Sequence, residues 1–142
     1  MTHRGAGRRS SRMHPHRKLS VWRKAHELTL RIYRFTDGLG RSYTGLTHQL
    51  RGAAQSVPAN IAEGLGRPTN AQFAHHLQIA IASARELDYY LLLARDLEQL
   101  GLKDHAILEA RTDEVTRMLV ALRRTVAARG KAVRGVRTQK AL

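Results

Sequence analysis

The chain has 142 residues, a formal net charge of +14, 42% apolar residues, three prolines and no cysteine. It is long enough for one domain and apolar enough to bury a core, and it can build neither a disulfide framework, a thiolate zinc site nor a cysteine nucleophile. No stretch reaches the roughly eighteen uncharged apolar residues of a membrane span and no apolar signal core follows the basic N-terminus, so a cytoplasmic protein with no membrane partner is expected.

The first eighteen residues are rich in Arg, Ser, Gly and His with Met13 as their one large apolar residue, a composition expected of a disordered arm. A first helix is expected from Ser20, read as its N-cap. Val21, Ala25, Leu28, Ile32 and Phe35 then share one face, with Trp22 beside the stripe. Asp37-Gly38-Leu39-Gly40 supplies residues that tolerate a left-handed backbone and end that helix. A second helix is expected over 46–63, burying Leu50, Ala53, Ala54, Val57, Ile61 and Leu65. In it Pro58 removes a backbone donor and crowds the carbonyl of Ala54, and Gly64 and Gly66 stop it. Thr69 with Gln72 three residues on reads as a capping box opening a third helix.

Phe73, Leu77, Ala80, Ala84, Leu87, Leu91 and Ala94 alternate spacings of four and three, the seam of a bundle, up to a stop at Gly101. The six apolar residues from Tyr89 to Ala94 cover every side of that helix, which places it at the centre of the fold or against a second subunit. A fourth helix from Asp104 uses Leu108, Val115, Met118, Leu122 and Val126, and past Arg129 the chain turns to Gly, Lys and Arg. The expected fold is therefore all-α, an antiparallel up-and-down four-helix bundle over 19–128 with flexible basic tails at 1–18 and 129–142.

The charge is unevenly placed. Arg4, Arg8, Arg9, Arg12, Arg17 and Lys18 stand in residues 1–18, and Arg123, Arg124, Arg129, Lys131, Arg134, Arg137 and Lys140 in residues 123–142, with no acid in either stretch. The remainder is almost neutral. Such cations displace condensed counterions from a phosphate backbone, so these thirteen residues are the candidate contacts to RNA or DNA. No aromatic residue is interleaved with the arginines of either tail, so backbone contact rather than base stacking is expected.

The block Gly45-Leu46-Thr47-His48-Gln49-Leu50-Arg51 leading into Ser56-Val57-Pro58-Ala59-Asn60-Ile61-Ala62-Glu63-Gly64 resembles the four-helix-bundle proteins encoded within intervening sequences of large-subunit ribosomal RNA genes. Leu19, Trp22, Lys24-Ala25 and Leu28, then Gly66-Arg67, and Ala80, Ser83, Glu86 and Leu87 extend the likeness over residues 19–122, which is the neutral body. The resemblance implies a homo-oligomer, often a ring-like pentamer, without enzymatic activity and associated with RNA. It also implies kinship with the accessory variability determinant of diversity-generating retroelements, a partner of a reverse transcriptase and its template RNA. Gly52 departs from the pattern, where a second arginine usually follows the position of Arg51.

Ser56, Pro58, Asn60, Glu63 and Gly64 are read as structural, with Asn60 and Glu63 bonding the backbone groups that Pro58 leaves free or capping the next helix. No catalytic residue, metal ligand or cofactor is expected. His75 and His76 are adjacent and so point about 100° apart, and the Glu-x-x-His pairs of di-iron bundles are absent. His3, His14 and His16 fall in the arm, and Arg85, Glu86, Asp88 and Arg95 read as a solvated face. A purely structural bundle that binds an acidic protein is the alternative from another class.

Overall fold

A computed structural model describes residues 14–141, with side chains through Gly130. Four helices make up the described chain: α1 Ser20–Asp37, α2 Thr44–Leu65, α3 Asn70–Asp96 and α4 Leu102–Ala141. Two 3-10 turns, Pro15–Lys18 and Arg41–Tyr43, precede α1 and α2. The helices pack in cyclic order, α1 on α2, α2 on α3, α3 on α4 and α4 on α1, and diagonal pairs do not approach. Each neighbour runs antiparallel, as cross-helix pairs show: Thr29 with Ala54 and Thr36 with Arg51, then Asn60 with His76 and Ser56 with Ser83. This is the up-and-down bundle that the four apolar stripes require.

The seam of α3 forms as its spacing predicts. Leu77, Ala80, Ala84, Leu87, Leu91 and Ala94 are buried, Phe73 is half-buried, and Thr69 and Gln72 close the capping box. The six-residue run is not wholly covered, for Tyr89 stays 56% exposed and Leu92 stands out beside it.

Several local expectations change. Ser20 is the first helical residue of α1, and Leu19 occupies the cap position without a side-chain bond. Gly38 ends α1 in right-handed geometry, and the positive φ falls instead at Glu98, where α3 has already closed before Gly101. Along α4, Leu119 is fully buried while Met118 and Leu122 are only partly covered. The difference arises at Thr112, a polar residue that occupies a seam position because its hydroxyl donates to the Leu108 carbonyl at 2.8 Å. The backbone of α4 continues to Ala141, past the expected end of the bundle at residue 128. Alanine, arginine, lysine and glutamine favour that continuation, and cations suit the negative C-terminal end of the helix dipole.

Pro58 lies inside α2, and the carbonyl it deprives of a donor is that of Ala54. Neither Asn60 nor Glu63 answers it. The hydroxyl of Thr29, buried on α1, lies 3.1 Å from the Ala54 oxygen and 2.8 Å from its own Ala25 oxygen, so a neighbouring helix supplies the donor. Gly64 is likewise not a stop. It is buried within α2, where an added Cβ would meet the His76 Cβ at 2.6 Å, so this glycine sets how closely α3 approaches. Ala53 and Ala54 are buried as expected, whereas Ala59 is exposed.

Candidate nucleic-acid interface

Several polar residues of the body bond one another. Asn60 Nδ2 donates to the Ser56 carbonyl at 2.8 Å and reaches Ser56 Oγ at 3.0 Å, and Ser56 Oγ meets Ser83 Oγ at 2.8 Å. With its amide so oriented, Asn60 Oδ1 accepts from His76 Nδ1 at 3.2 Å, and His76 Nε2 accepts from Arg67 Nε at 3.3 Å. One neutral imidazole tautomer satisfies both bonds. Arg67 is also held by Glu63 at 2.8 Å. Of the motif, Ser56, Asn60 and Gly64 thus sit where α2 packs on α3, and Glu63 holds Arg67 beside them.

Arg51 plays a comparable part at the other end of the bundle. It lies 4.4 Å over the Tyr33 ring, donates to Thr36 Oγ1 at 2.7 Å and pairs with Asp37 at 2.8 Å, tying α2 to the last turn of α1. Lys24 pairs with Glu114, which holds that carboxyl's pKa below the usual range, and Arg95 and Arg117 pair with Asp96 and Asp113.

Other cations stand free of carboxylates among the described residues, Arg23, Arg31, Arg34, Arg41, Arg85 and Lys103 on the body and a further set toward the pole where α2 turns into α3, where no acid accompanies them in sequence. Arg17, Lys18, Arg123, Arg124 and Arg129 are all exposed and form no ion pair among the described residues. Their placement toward one end follows from the packing. Lys24, near the start of α1, faces Glu114, whereas Gly130 comes to within 3.5 Å of the Asn70 Cβ (measured from an added Cβ) at the start of α3. The second half of α4 therefore runs past the start of α1 and rests on α3, delivering Arg123, Arg124 and Arg129 to this end. The backbone of α4 goes on from Gly130 to Ala141, about 16 Å at 1.5 Å per residue, through the positions of Lys131, Arg134, Arg137 and Lys140. The side chains of these four, and Arg4, Arg8, Arg9 and Arg12, lie outside the described residues.

Residues 14–18 do not belong to a free arm, because the turn Pro15–Lys18 packs against α1 and α2. Pro15 supplies a preset φ at its first position, and Arg17 and Leu19 donate backbone bonds to His14 and His16. This docking builds a series of rings that sequence reasoning missed. His14 stacks on His16 with centroids 5.7 Å apart, His16 lies 4.9 Å from Trp22, and Trp22 stacks on His26 at 5.1 Å with planes 12° apart. Burial, then the neighbouring His14 and Arg17, hold the His16 imidazole below the usual histidine range. The spacing of Trp22 and His26, one helical turn apart, was a usable signal; the docking of His16 was not. Beside Arg17 and Lys18, the rings of His14 and His26 stand exposed.

Among the described residues no group of three or more His, Asp or Glu is arranged to hold a metal ion, and no helix is long and apolar enough to cross a membrane. His75 and His76 meet edge to face, with His76 engaged by Asn60 and Arg67.

No curated protein matches the chain. Among solved structures, it is similar to a protein of unknown function from the S23 ribosomal protein family of Bacteroides thetaiotaomicron. The TM-score is 0.69 at 23% identity, over 73% of this chain and 95% of that one, a likeness of fold. The profile of the 23S rRNA-intervening sequence proteins matches residues 17–121, which takes in all of α1, α2 and α3 and the part of α4 packed on α1. The chain belongs to the 23S rRNA-intervening sequence protein family.

Proposed function

We propose that the protein is a non-catalytic nucleic-acid-binding bundle that holds RNA by its phosphate backbone at one pole. The observation that carries this reading is that Arg17, Lys18, Arg123, Arg124 and Arg129 lie toward the same end of the bundle, exposed and unpaired among the described residues, with no acid in residues 1–18 or 123–142 and a body whose other charges nearly cancel. Unpaired surface cations keep their capacity to release counterions from phosphates, whereas those already bonded to carboxylates have surrendered part of it. The family's name, which ties its members to 23S ribosomal RNA, favours RNA over DNA. The rings of His14 and His26 add stacking faces that tolerate any base.

The test neutralises Arg17, Lys18, Arg123, Arg124 and Arg129 together to glutamine in the full chain and measures RNA affinity across a salt series. Affinity is expected to fall on the order of a hundredfold. The slope of log K against log salt should shrink by roughly 0.7 for each phosphate of a single strand that is no longer neutralised. An unchanged affinity and slope would remove the pole as the binding element. In a narrower version the protein serves a reverse transcriptase as its accessory subunit, tested by whether the two copurify with a shared RNA. In the alternative from another class, a structural bundle binds an acidic protein, and polyanionic RNA displaces that partner only if both use the same cations.

A homo-oligomer is proposed as well, supported by the apolar side chains left outside: Tyr89 and Leu92 on α3, Leu97 after it, and Leu102 and Ile107 on α4. Leu102 is 77% exposed, an unfavourable place for an isolated leucine unless another surface covers it. Sedimentation as a monomer at micromolar concentration would count against it.

A further inference from the structure

The docked turn Pro15–Lys18 brings three imidazoles and an indole into one series, and His16 stands inside it, between His14 at 5.7 Å and Trp22 at 4.9 Å. Its ring is half-buried, and among the described residues neither of its nitrogens makes a hydrogen bond. His76 is the contrast, with one nitrogen bonded to Asn60 and the other to Arg67. An imidazole nitrogen whose lone pair is not engaged can take up a proton without breaking a bond of the fold.

The charged groups around this ring are cations. Its own turn contributes Arg17 and Lys18, and residues 1–18 hold no acid. On α1, against which the turn packs, Trp22 and His26 stand one helical turn apart with Arg23 beside them. Lys24 is turned to Glu114, and Glu27 lies about 100° round the helix from His26. The turn also packs on α2, where Ala54 faces Thr29 and the positions that continue that face, Pro58, Ala62 and Leu65, carry no charge. Glu63, the one carboxylate of α2, is paired with Arg67. Burial, then His14 and Arg17, accordingly disfavour a proton on His16 in the free protein.

We propose that RNA held at this pole draws a proton onto His16, so that acid strengthens its binding. The inference rests on the nucleic-acid reading and names how that site is regulated. A strand held by Arg17 and Lys18, the two residues that follow His16, brings phosphate charge to a ring that has no carboxylate partner. The charge that the free fold disfavours is thereby favoured in the complex. Contact with Trp22 survives the change, because an indole face attracts a cation. Proton uptake and RNA binding then promote each other to the same extent, since the coupling between two equilibria is reciprocal. With the titration midpoint of His16 higher in the complex than in the free protein, affinity is lowest above the bound midpoint. It rises as pH falls through that midpoint and levels off below the free one.

The test measures the affinity of the full chain for a labelled oligouridylate at constant ionic strength from about pH 8 to about pH 5.5, a range in which imidazoles titrate and uracil does not. NMR follows the His16 ring signals over the same range, in the free protein and at saturation with the strand. Affinity should rise about tenfold as pH falls, and the His16 midpoint should stand higher in the complex by the corresponding amount, about one pH unit. The rise should be lost in His16→Phe, which keeps a ring against Trp22 and cannot titrate, and in His16→Gln, which removes ring and proton site together. The proposal is overturned if RNA binds with an affinity that does not change with pH, or if the rise persists in both His16 variants. Absence of RNA binding at every pH is a separate result, which overturns the nucleic-acid reading and this proposal with it.

Discussion

The seam between α2 and α3 and the pole they lead to are both rich in polar residues, and they use them in opposite ways. Along the seam Ser56, Asn60, Ser83, His76, Arg67 and Glu63 bond one another, and Gly64 lets the two helices approach closely. At the pole Arg17, Lys18, Arg123, Arg124 and Arg129 have no carboxylate partner among the described residues. A polar side chain whose bonds are made within the fold specifies packing. One whose charge is left to solvent is available to a ligand. The family likeness, over residues 17–121, covers the seam together with Arg17 and Lys18, and stops just before Arg123 and Arg124.

The difference is most open to challenge through binding. Five body cations outside the pole, Arg31, Arg34, Arg41, Arg85 and Lys103, can be neutralised in parallel with the five of the pole. RNA affinity measured in the same salt should fall on the order of a hundredfold for the pole set and far less for the body set, and equal falls would dissolve the distinction. The seam is probed by stability instead. Gly64→Ala places a methyl 2.6 Å from the His76 Cβ, and urea denaturation should show a destabilisation of about 1–3 kcal/mol with RNA affinity of the folded fraction retained.

Thr29→Val leaves the Ala54 carbonyl without its donor beside Pro58. A destabilisation of about 1–2 kcal/mol by the same measurement is expected, whereas no change would mean that another group answers that carbonyl. Gly52 has the reverse prospect, since an added Cβ there meets nothing within 4 Å. Gly52→Ala should stabilise the helix by about 0.5–1 kcal/mol.

The smallest effect concerns Asp88, whose carboxyl is raised in the fold. A raised acid pKa means that the folded state holds its proton more tightly, so the penalty is present above the folded pKa and vanishes as pH falls below the unfolded one. Asp88→Asn should therefore raise the melting temperature slightly at neutral pH and leave it unchanged in acid, where Asp88 is already protonated.

Helix number, order and much of the core were legible because apolar spacing of three and four records which face of a helix must leave water. Leu77, Leu87 and Leu91 needed nothing more, and Thr69 with Gln72 marked the start of α3 through a bond entirely local in sequence. Polar residues in structural roles were harder to read. Thr112 occupies a seam position that its chemistry disguised, and this shifted the expected stripe of α4 from Leu119 to Met118 and Leu122. Likewise Gly64 looked like a helix stop until α3 was packed against it.

The sequence by itself determined a bundle of four helices and the segregation of charge toward the two ends of the chain, since both depend on residue type and near-neighbour spacing alone. Only the tertiary structure decided that Thr29 answers the carbonyl freed by Pro58, that His16 docks on Trp22, and that cations separated by more than a hundred positions lie toward one end of the bundle. Those outcomes rest on antiparallel packing and on the length by which α4 overruns α1. Geometry of that kind joins residues distant along the chain and leaves no local pattern in it.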